Sequence, residues 1–296
     1  MLNLSAYLDR IGYSGSTDPS AETLRAIHRA HMLAVPFENL DIHLGRPIVC
    51  DEARFLHKVV QERRGGFCYE LNGAFAALLR ALGFDVTLLS ARVVGSDGSE
   101  SPEFDHLTLR VDLPGVRPEG SHSDAPRFGP SWLADVGFGD GFLEPLRIAP
   151  NLEQRQIGRV YRLHEVEGVF HLEVATGDQG GADGKVKIDD EVKAGDELKA
   201  DDNVSSADKW KRQYSFTLQP RQLSEFAAMC RYHQTSPESH FTRQRICTRA
   251  TPEGRVTLSD WKLIETRNGE REERELAGEQ QWRATLRELF RVDLPG

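Results

Sequence analysis

Residues Arg64 to Asn72 read Arg-Gly-Gly-Phe-Cys-Tyr-Glu-Leu-Asn, and they hold the ingredients of a nucleophilic cysteine. Gly65 and Gly66 supply a turn that bulkier residues resist, and they let backbone or ligand come close to the Cys68 sulfur. Leu71, Phe75, Leu78, Leu79 and Leu82 then recur at helical spacing until Gly83. Cys68 is therefore expected where a tight turn becomes the first turn of a buried helix. Unpaired N–H groups and the positive end of the helix dipole lie at such a point. Both favour the thiolate, the form that attacks carbon. The plainer reading is a small apolar residue packed at a helix start, since free cysteine is among the most buried residue types. The double glycine weighs against it.

A nucleophilic cysteine needs a base for its proton, and the base needs an orienting group. Of the ten histidines, His106 is the best placed, opening the alternating stretch Phe104-Asp105-His106-Leu107-Thr108-Leu109. A strand histidine also reads as a satisfied structural residue. Asp135 lies in the apolar run Trp132-Leu-Ala-Asp-Val-Gly-Phe-Gly, where an unpaired carboxylate is costly and a histidine ring N–H is a natural partner. The predicted line is Cys68, His106, Asp135. Cys230, His233 and His240 offer only three ligands at uneven spacing with a proline between them, so no metal site is expected.

Three kinds of chain must position these groups. The first, to about Gly83, is largely helical. One helix is expected to start at Asp18-Pro19, with Leu24, Ile27 and His31 on one face, and to give out near Val35-Pro36. A second runs from Glu52 to Arg63, and the cysteine helix follows. Short β-rich stretches come next: Asp85–Val94, His106–Leu113, Trp132–Phe138, Val160–Val166 and Phe170–Ala175, separated by turn residues. They argue an antiparallel barrel or sandwich, with Ser121–Pro130 as a loop. Residues 176–209 carry ten acidic residues against five lysines and read as a solvated insertion, lacking the spaced ligands of a calcium loop. A mixed portion ends the chain: a strand Tyr214–Leu218, a helix Leu223–Tyr232, two or three strands between Arg245 and Thr266, and a terminal helix Glu279–Phe290.

Composition narrows the function. The 296 residues are 39% hydrophobic and 28% charged with a formal net charge of −9, a globular balance that disfavours nucleic acid as a partner. No apolar run approaches the ~18 residues that span a bilayer. Cys50, Cys68, Cys230 and Cys247 match no zinc spacing, and no secretory segment is read before them. The expectation is a reduced, cytoplasmic protein without a membrane.

These stretches resemble the arylamine N-acetyltransferases. Arg64-Gly65-Gly66-Phe67-Cys68 is similar to that family's nucleophile motif, and Val35-Pro36-Phe37-Glu38-Asn39-Leu40 to its N-terminal signature. Asp105-His106-Leu107 and Asp135-Val136-Gly137-Phe138-Gly139 stand where its catalytic histidine and aspartate do. Tyr214-Ser215-Phe216-Thr217-Leu218 and Thr235-Ser236-Pro237 resemble third-domain landmarks. The resemblance spans Leu4 to Leu294 apart from the acidic insertion and the Ser121–Pro130 loop. It implies an α+β fold of three parts on a papain- or transglutaminase-like core: a helical domain (1–84), an antiparallel β-barrel domain (85–212) and an α/β lid (213–296).

The resemblance further implies acetyl-coenzyme A as donor, and an arylamine, hydrazine or N-hydroxyarylamine as acceptor. Transfer would run through acetyl-Cys68, with His106 moving protons, Asp135 fixing the ring, and the Cys68 N–H in an oxyanion hole. Keeping water from that thioester calls for an aromatic pocket. By family position its candidates are Phe37, Phe138, Phe241 and Val93, with Phe67 beside them; each also reads as core. Pro102 and Glu103 fall in a coenzyme-contacting region, and Asp140 stands where some relatives carry a basic residue. Glu38 and Arg64 are expected to form a bracing salt bridge. The competing functions are a cysteine hydrolase or transglutaminase-like acyl transferase, a non-catalytic protein that binds aromatic compounds, and an intramolecular amide synthase. The sequence leaves the oligomeric state open.

Overall fold

A computed structural model describes residues 2–114, 128–175 and 210–294. The acidic insertion 176–209 lies outside them, as do residues 115–127, which include 121–127 of the expected loop. The helices are α1 (Leu4–Ile11), α2 (Ala21–Ala34), α3 (Leu40–His43), α4 (Glu52–Leu56), α5 (Cys68–Ala81), α6 (Ala227–Thr235), α7 (His240–Arg243) and α8 (Glu279–Thr285). Two antiparallel sheets accompany them. The smaller orders its strands β1 (Phe37–Glu38), β10 (Ile246–Thr251), β11 (Gly254–Ser259), β12 (Lys262–Arg267), β13 (Glu270–Glu275). The larger contains β2 (Asp85–Val93), β3 (His106–Pro114), β4 (Phe128–Ala134), β5 (Leu146–Arg147), β6 (Gln154–Gln156), β7 (Arg159–Val166), β8 (Val169–Ala175) and β9 (Trp210–Phe216). Its order is β5-β4-β3-β2-β9-β8-β7-β6.

The larger sheet curls into a nearly closed barrel. Its two edges meet through the Gln154 side chain, which donates to the Arg147 carbonyl at 3.0 Å and accepts from the Arg147 N–H at 2.7 Å. Alternating strand residues fill the interior, among them Leu89, Leu133, Leu163, Leu172 and Tyr214. The other faces of β2 and β3 pack Val86, Leu88, Leu107 and Leu109 with α5 in the main core. Helix α5 is thus sandwiched between barrel and N-terminal helices, and Leu71, Phe75, Leu78 and Leu79 are all fully buried. The terminal helix buries Trp282, Leu286 and Phe290 against the smaller sheet.

Several elements depart from expectation. Helix α2 starts at Ala21, not at Asp18-Pro19, because Ser20 is the cap: its side chain accepts the Thr23 N–H, while Asp18 accepts from Ser16. The Glu52 helix turns from α to π geometry over His57–Gln61, as the terminal helix does over Leu286–Phe290. The strand expected at Trp132–Phe138 runs from Phe128 to Ala134, and 128–130 of the expected loop belong to it. The strand expected at Tyr214–Leu218 occupies 210–216 and pairs with β2 and β8, so the barrel extends past residue 212. Strand β13 reads Glu-Arg-Glu-Glu-Arg-Glu and is exposed throughout. It has no apolar alternation to betray it, and its charges shield a sheet edge from further pairing.

Candidate active site

Cys68 is the first residue of α5 and is 5% exposed. The helix is entered from Phe67, whose N–H donates to Glu70 Oε2 at 3.1 Å. The double glycine owes its presence to close packing; neither residue has a positive φ. A Cβ on Gly65 would lie 1.9 Å from the Pro36 carbonyl oxygen, and Glu38 N–H donates to the Gly66 carbonyl at 2.9 Å. The turn is thereby laced to the Pro36-Phe37-Glu38 segment.

Buried charges brace it further. Arg64 reaches Glu38 at 2.8 Å and Asp41 at 3.1 Å, the expected Glu38–Arg64 bridge enlarged by one carboxylate. Lys58 reaches Asp41 and Glu70 at 2.8 Å each. Burial pushes the Glu70 carboxyl up to about 7 despite Lys58 beside it. The sequence showed the Arg64–Glu38 pair through its motif; Lys58 and Asp41 are ordinary surface residues to any pattern reading.

His106, at the start of β3, and Asp135, just past the end of β4, meet beside Cys68. His106 Nε2 lies 2.7 Å from Asp135 Oδ2, which leaves Nδ1 as the ring nitrogen available to the Cys68 side chain that interacts with it. Against its burial, Asp135 and Cys68 hold the His106 imidazolium up to about 10. Burial pushes the Cys68 thiol up, and the His106 hydrogen bond and charge pull it down. The net effect leaves the thiol above its usual value, so burial outweighs the help expected from the helix mouth, and the charged His106 is the group that favours the thiolate.

The Asp135 carboxylate is saturated. Oδ2 accepts from His106 and from the Tyr214 hydroxyl at 2.9 Å. Oδ1 accepts from Asn72 Nδ2 at 2.9 Å and from Gly137 N–H at 3.0 Å. These donors, with the His106 charge, hold the acid below its usual range although burial opposes it. The backbone N–H of Asp135 donates to His28 Nε2 at 3.1 Å, and His28 Nδ1–H donates to the Leu143 carbonyl at 2.8 Å. A buried ring fixed in that neutral tautomer resists protonation, and burial lowers His28 to about 4. Asn72, Tyr214 and His28 went unassigned from sequence. Their signal was a polar side chain on an otherwise apolar buried face.

The remaining predicted residues divide. Phe138 stands edge-on to the His106 ring at 5.3 Å, with Tyr214 at 5.1 Å from it. Phe241, on α7, lies 6.0 Å from both Phe37 and Phe67, so the structure gathers Phe37, Phe67 and Phe241 into one aromatic group beside the turn that leads into Cys68. Val93 ends β2 opposite Tyr214, its N–H donating to Ser101 Oγ at 2.8 Å. Pro102 is exposed, and Glu103 is engaged by Arg221 in an ion pair. Asp140 is held by Arg159 at 2.9 Å and Arg255 at 3.0 Å, so its carboxylate is matched by two guanidinium groups. His233 turns to Asp105, and the Cys230 sulfur lies 3.8 Å from the Ile48 carbonyl oxygen.

Helical bundle, barrel and C-terminal α/β portion around a cysteine helix define an α+β cysteine-enzyme architecture. The family model described as N-acetyltransferase matches residues 20–296. A pineal gland arylamine N-acetyltransferase isozyme of Gallus gallus is 33% identical over 99% of this chain and 95% of its own. Arylamine N-acetyltransferase 1 of Homo sapiens is 30% identical over the same shares. Among solved structures, the arylamine N-acetyltransferase of Salmonella typhimurium superposes with a TM-score of 0.79 at 28% identity, covering 100% of this chain and 93% of that one. That of Mycobacterium marinum in complex with CoA gives 0.78 at 28% identity, over 98% and 93%. The chain belongs to the arylamine N-acetyltransferase family, a family of acyltransferases.

Proposed function

We propose that the protein moves an acetyl group from acetyl-coenzyme A, through a thioester on Cys68, to the nitrogen of arylamines and arylhydrazines or to an N-hydroxy oxygen. The observation that carries this reading is the buried line from Cys68 through His106 to Asp135, with its 2.7 Å His106–Asp135 contact at the mouth of α5. The division into a helical domain (1–84), a barrel domain (85–212) and a lid (213–296) belongs to the same reading, with β9 crossing its second boundary. Cytoplasmic placement belongs to it too, supported by four free cysteines.

In the first half-reaction Cys68, as a thiolate paired with the His106 imidazolium, attacks the thioester carbonyl. The carbonyl oxygen becomes an oxyanion beside the Cys68 N–H, which has no intrahelical acceptor. Collapse breaks the bond to coenzyme A, whose sulfur leaves with the proton from His106. One thioester replaces another, so positioning matters more than driving force. In the second half the amine lone pair attacks acetyl-Cys68. His106 takes the surplus amine proton and the Cys68 sulfur departs. Asp135 keeps the ring oriented and stabilises the imidazolium. Phe37, Phe138, Phe241 and Val93 are the side chains assigned to the acceptor, and the segment with Pro102 and Glu103 to the coenzyme. No metal enters the chemistry of these residues.

Steady-state rates with a panel of anilines and hydrazines, against acetyl- and propionyl-coenzyme A, test the reading. Parallel double-reciprocal lines are expected, and Cys68→Ser should lower turnover by several orders of magnitude. Donor consumption at an equal rate without amine would instead make the protein a hydrolase. Aromatic binding with unchanged donor would make it a binding protein.

A further inference from the structure

A second histidine–carboxylate pair flanks the sulfur, and half of it comes from the C-terminal portion. His233, on α6 and 4% exposed, sets Nε2 at 3.1 Å from Asp105 Oδ1 and 3.3 Å from the Asp105 carbonyl oxygen. Its Nδ1 faces Ser239 Oγ at 3.4 Å, and that oxygen accepts the Phe241 N–H at the start of α7. The ring also stands edge-on to Phe241 at 5.1 Å.

Asp105 directly precedes His106. Its carbonyl oxygen accepts from the Tyr69 hydroxyl at 3.1 Å and lies 4.0 Å from Cys68 Sγ. The Asp105–His106 peptide is therefore held by the nucleophile, by the residue after the nucleophile, and by His233. The Asp105 carboxylate also bears on charge. It opposes a negative sulfur, and the hydrogen bond and charge of His233 hold it ionised, with His106 and Ser101 helping. The other titratable groups around the cluster are Tyr69 and Glu70 on α5, Cys50 and Cys230 facing them both, and His240 on α7. Glu70 is paired with Lys58 at 2.8 Å, so Asp105 is the carboxylate whose pairing bears on the sulfur from this side.

We propose that His233 is a positioning residue of the acyl-transfer centre: it clamps the Asp105–His106 peptide against Cys68 and keeps the Asp105 carboxylate paired, so that its charge does not oppose the Cys68 thiolate. The inference rests on the reading of Cys68 as nucleophile. It makes docking of α6 and assembly of the reactive pair one event.

The test is the pH dependence of Cys68 carboxamidomethylation by iodoacetamide, read by peptide mass spectrometry, beside kcat and KM. His233→Ala should slow alkylation at pH 7 by about 10-fold and move the profile about one unit alkaline, since one unit is a factor of ten in thiolate. His233→Gln keeps a donor and should recover most of the rate. Adding Asp105→Asn to His233→Ala should bring the profile back, and kcat should fall more than KM changes. Were His233→Ala not to fold, Asp105→Asn alone should move the profile to lower pH. A profile that superimposes on the wild type overturns the proposal. So does a uniform slowing at every pH without recovery in the double variant, which is what lost packing alone gives. Failure of the nucleophile reading looks different: wild-type Cys68 would alkylate no faster than Cys50.

Discussion

Asn72 sits one helical turn after Cys68 and hands its amide to Asp135 Oδ1 at 2.9 Å. The same Nδ2 donates to the Leu107 carbonyl at 2.6 Å, and Oδ1 accepts the Val136 N–H at 2.9 Å. A single side chain on α5 therefore ties β3, at Leu107, and the segment just past β4 that carries Asp135 to the helix that begins with Cys68. The register of the reactive line is set from inside α5.

Asn72→Ala leaves the Leu107 carbonyl and the Val136 N–H without that partner in a buried place, at a cost of about 1–3 kcal/mol for each group left unpaired. The expected outcome is a folded protein with a lower Tm and a kcat reduced at least about 10-fold, measured by calorimetry and steady-state kinetics. An unchanged kcat would show that the barrel alone holds Asp135.

Two histidines give stability opposite pH slopes. His106 is raised from an ordinary 6.5 to about 10. The folded state then holds the extra proton, so its contribution is full below pH 6.5 and disappears as pH rises through 10. His28 is lowered from 6.5 to about 4. The unfolded state then holds the extra proton, so its contribution is present above pH 6.5 and shrinks as pH falls to 4. Burial pushes His31 the same way as His28. Tm against pH should fall on both sides of pH 6.5, and His28→Gln should flatten the acid limb. A wild-type acid limb that His28→Gln leaves unaltered would contradict the buried neutral tautomer.

Ala175 and Trp210 face each other as paired residues of β8 and β9. The described residues that flank 176–209 are therefore a hairpin's width apart, and a short Asn-Gly turn can join them. Replacing 176–209 by such a turn should preserve fold and turnover. A folded deletion variant with a large fall in kcat would give the insertion a role in chemistry.

What could be read from the chain follows from where each signal lives. The α5 core face, the strand at His106 and the buried Asp135 announce themselves locally, by apolar period and by a charge in an apolar run. The edge strand Glu270–Glu275 has no such period, because an exposed strand is held by its ladder and needs no apolar face. Helix α1 was not anticipated either, although Asn3 caps it. Its Leu4–Ile11 stretch is too short for period alone to separate it from a loop. The partners of Asp135 come from residues 28, 72, 106 and 214, and only the folded barrel assembles them. His106 stands out by its place at the opening of an alternating strand, and motif likeness agrees. For His28 and Tyr214 the local signal is only a polar side chain on an apolar face, which names no partner.

The most direct test is intact-mass spectrometry of the protein mixed with acetyl-coenzyme A and no acceptor, followed by addition of an arylamine. The account predicts one acetyl group per chain, mapped to Cys68, absent in Cys68→Ser and His106→Ala, stable to water, and discharged when the amine is added. An acetyl group on another residue, or turnover of donor and amine with no adduct at Cys68, would contradict it.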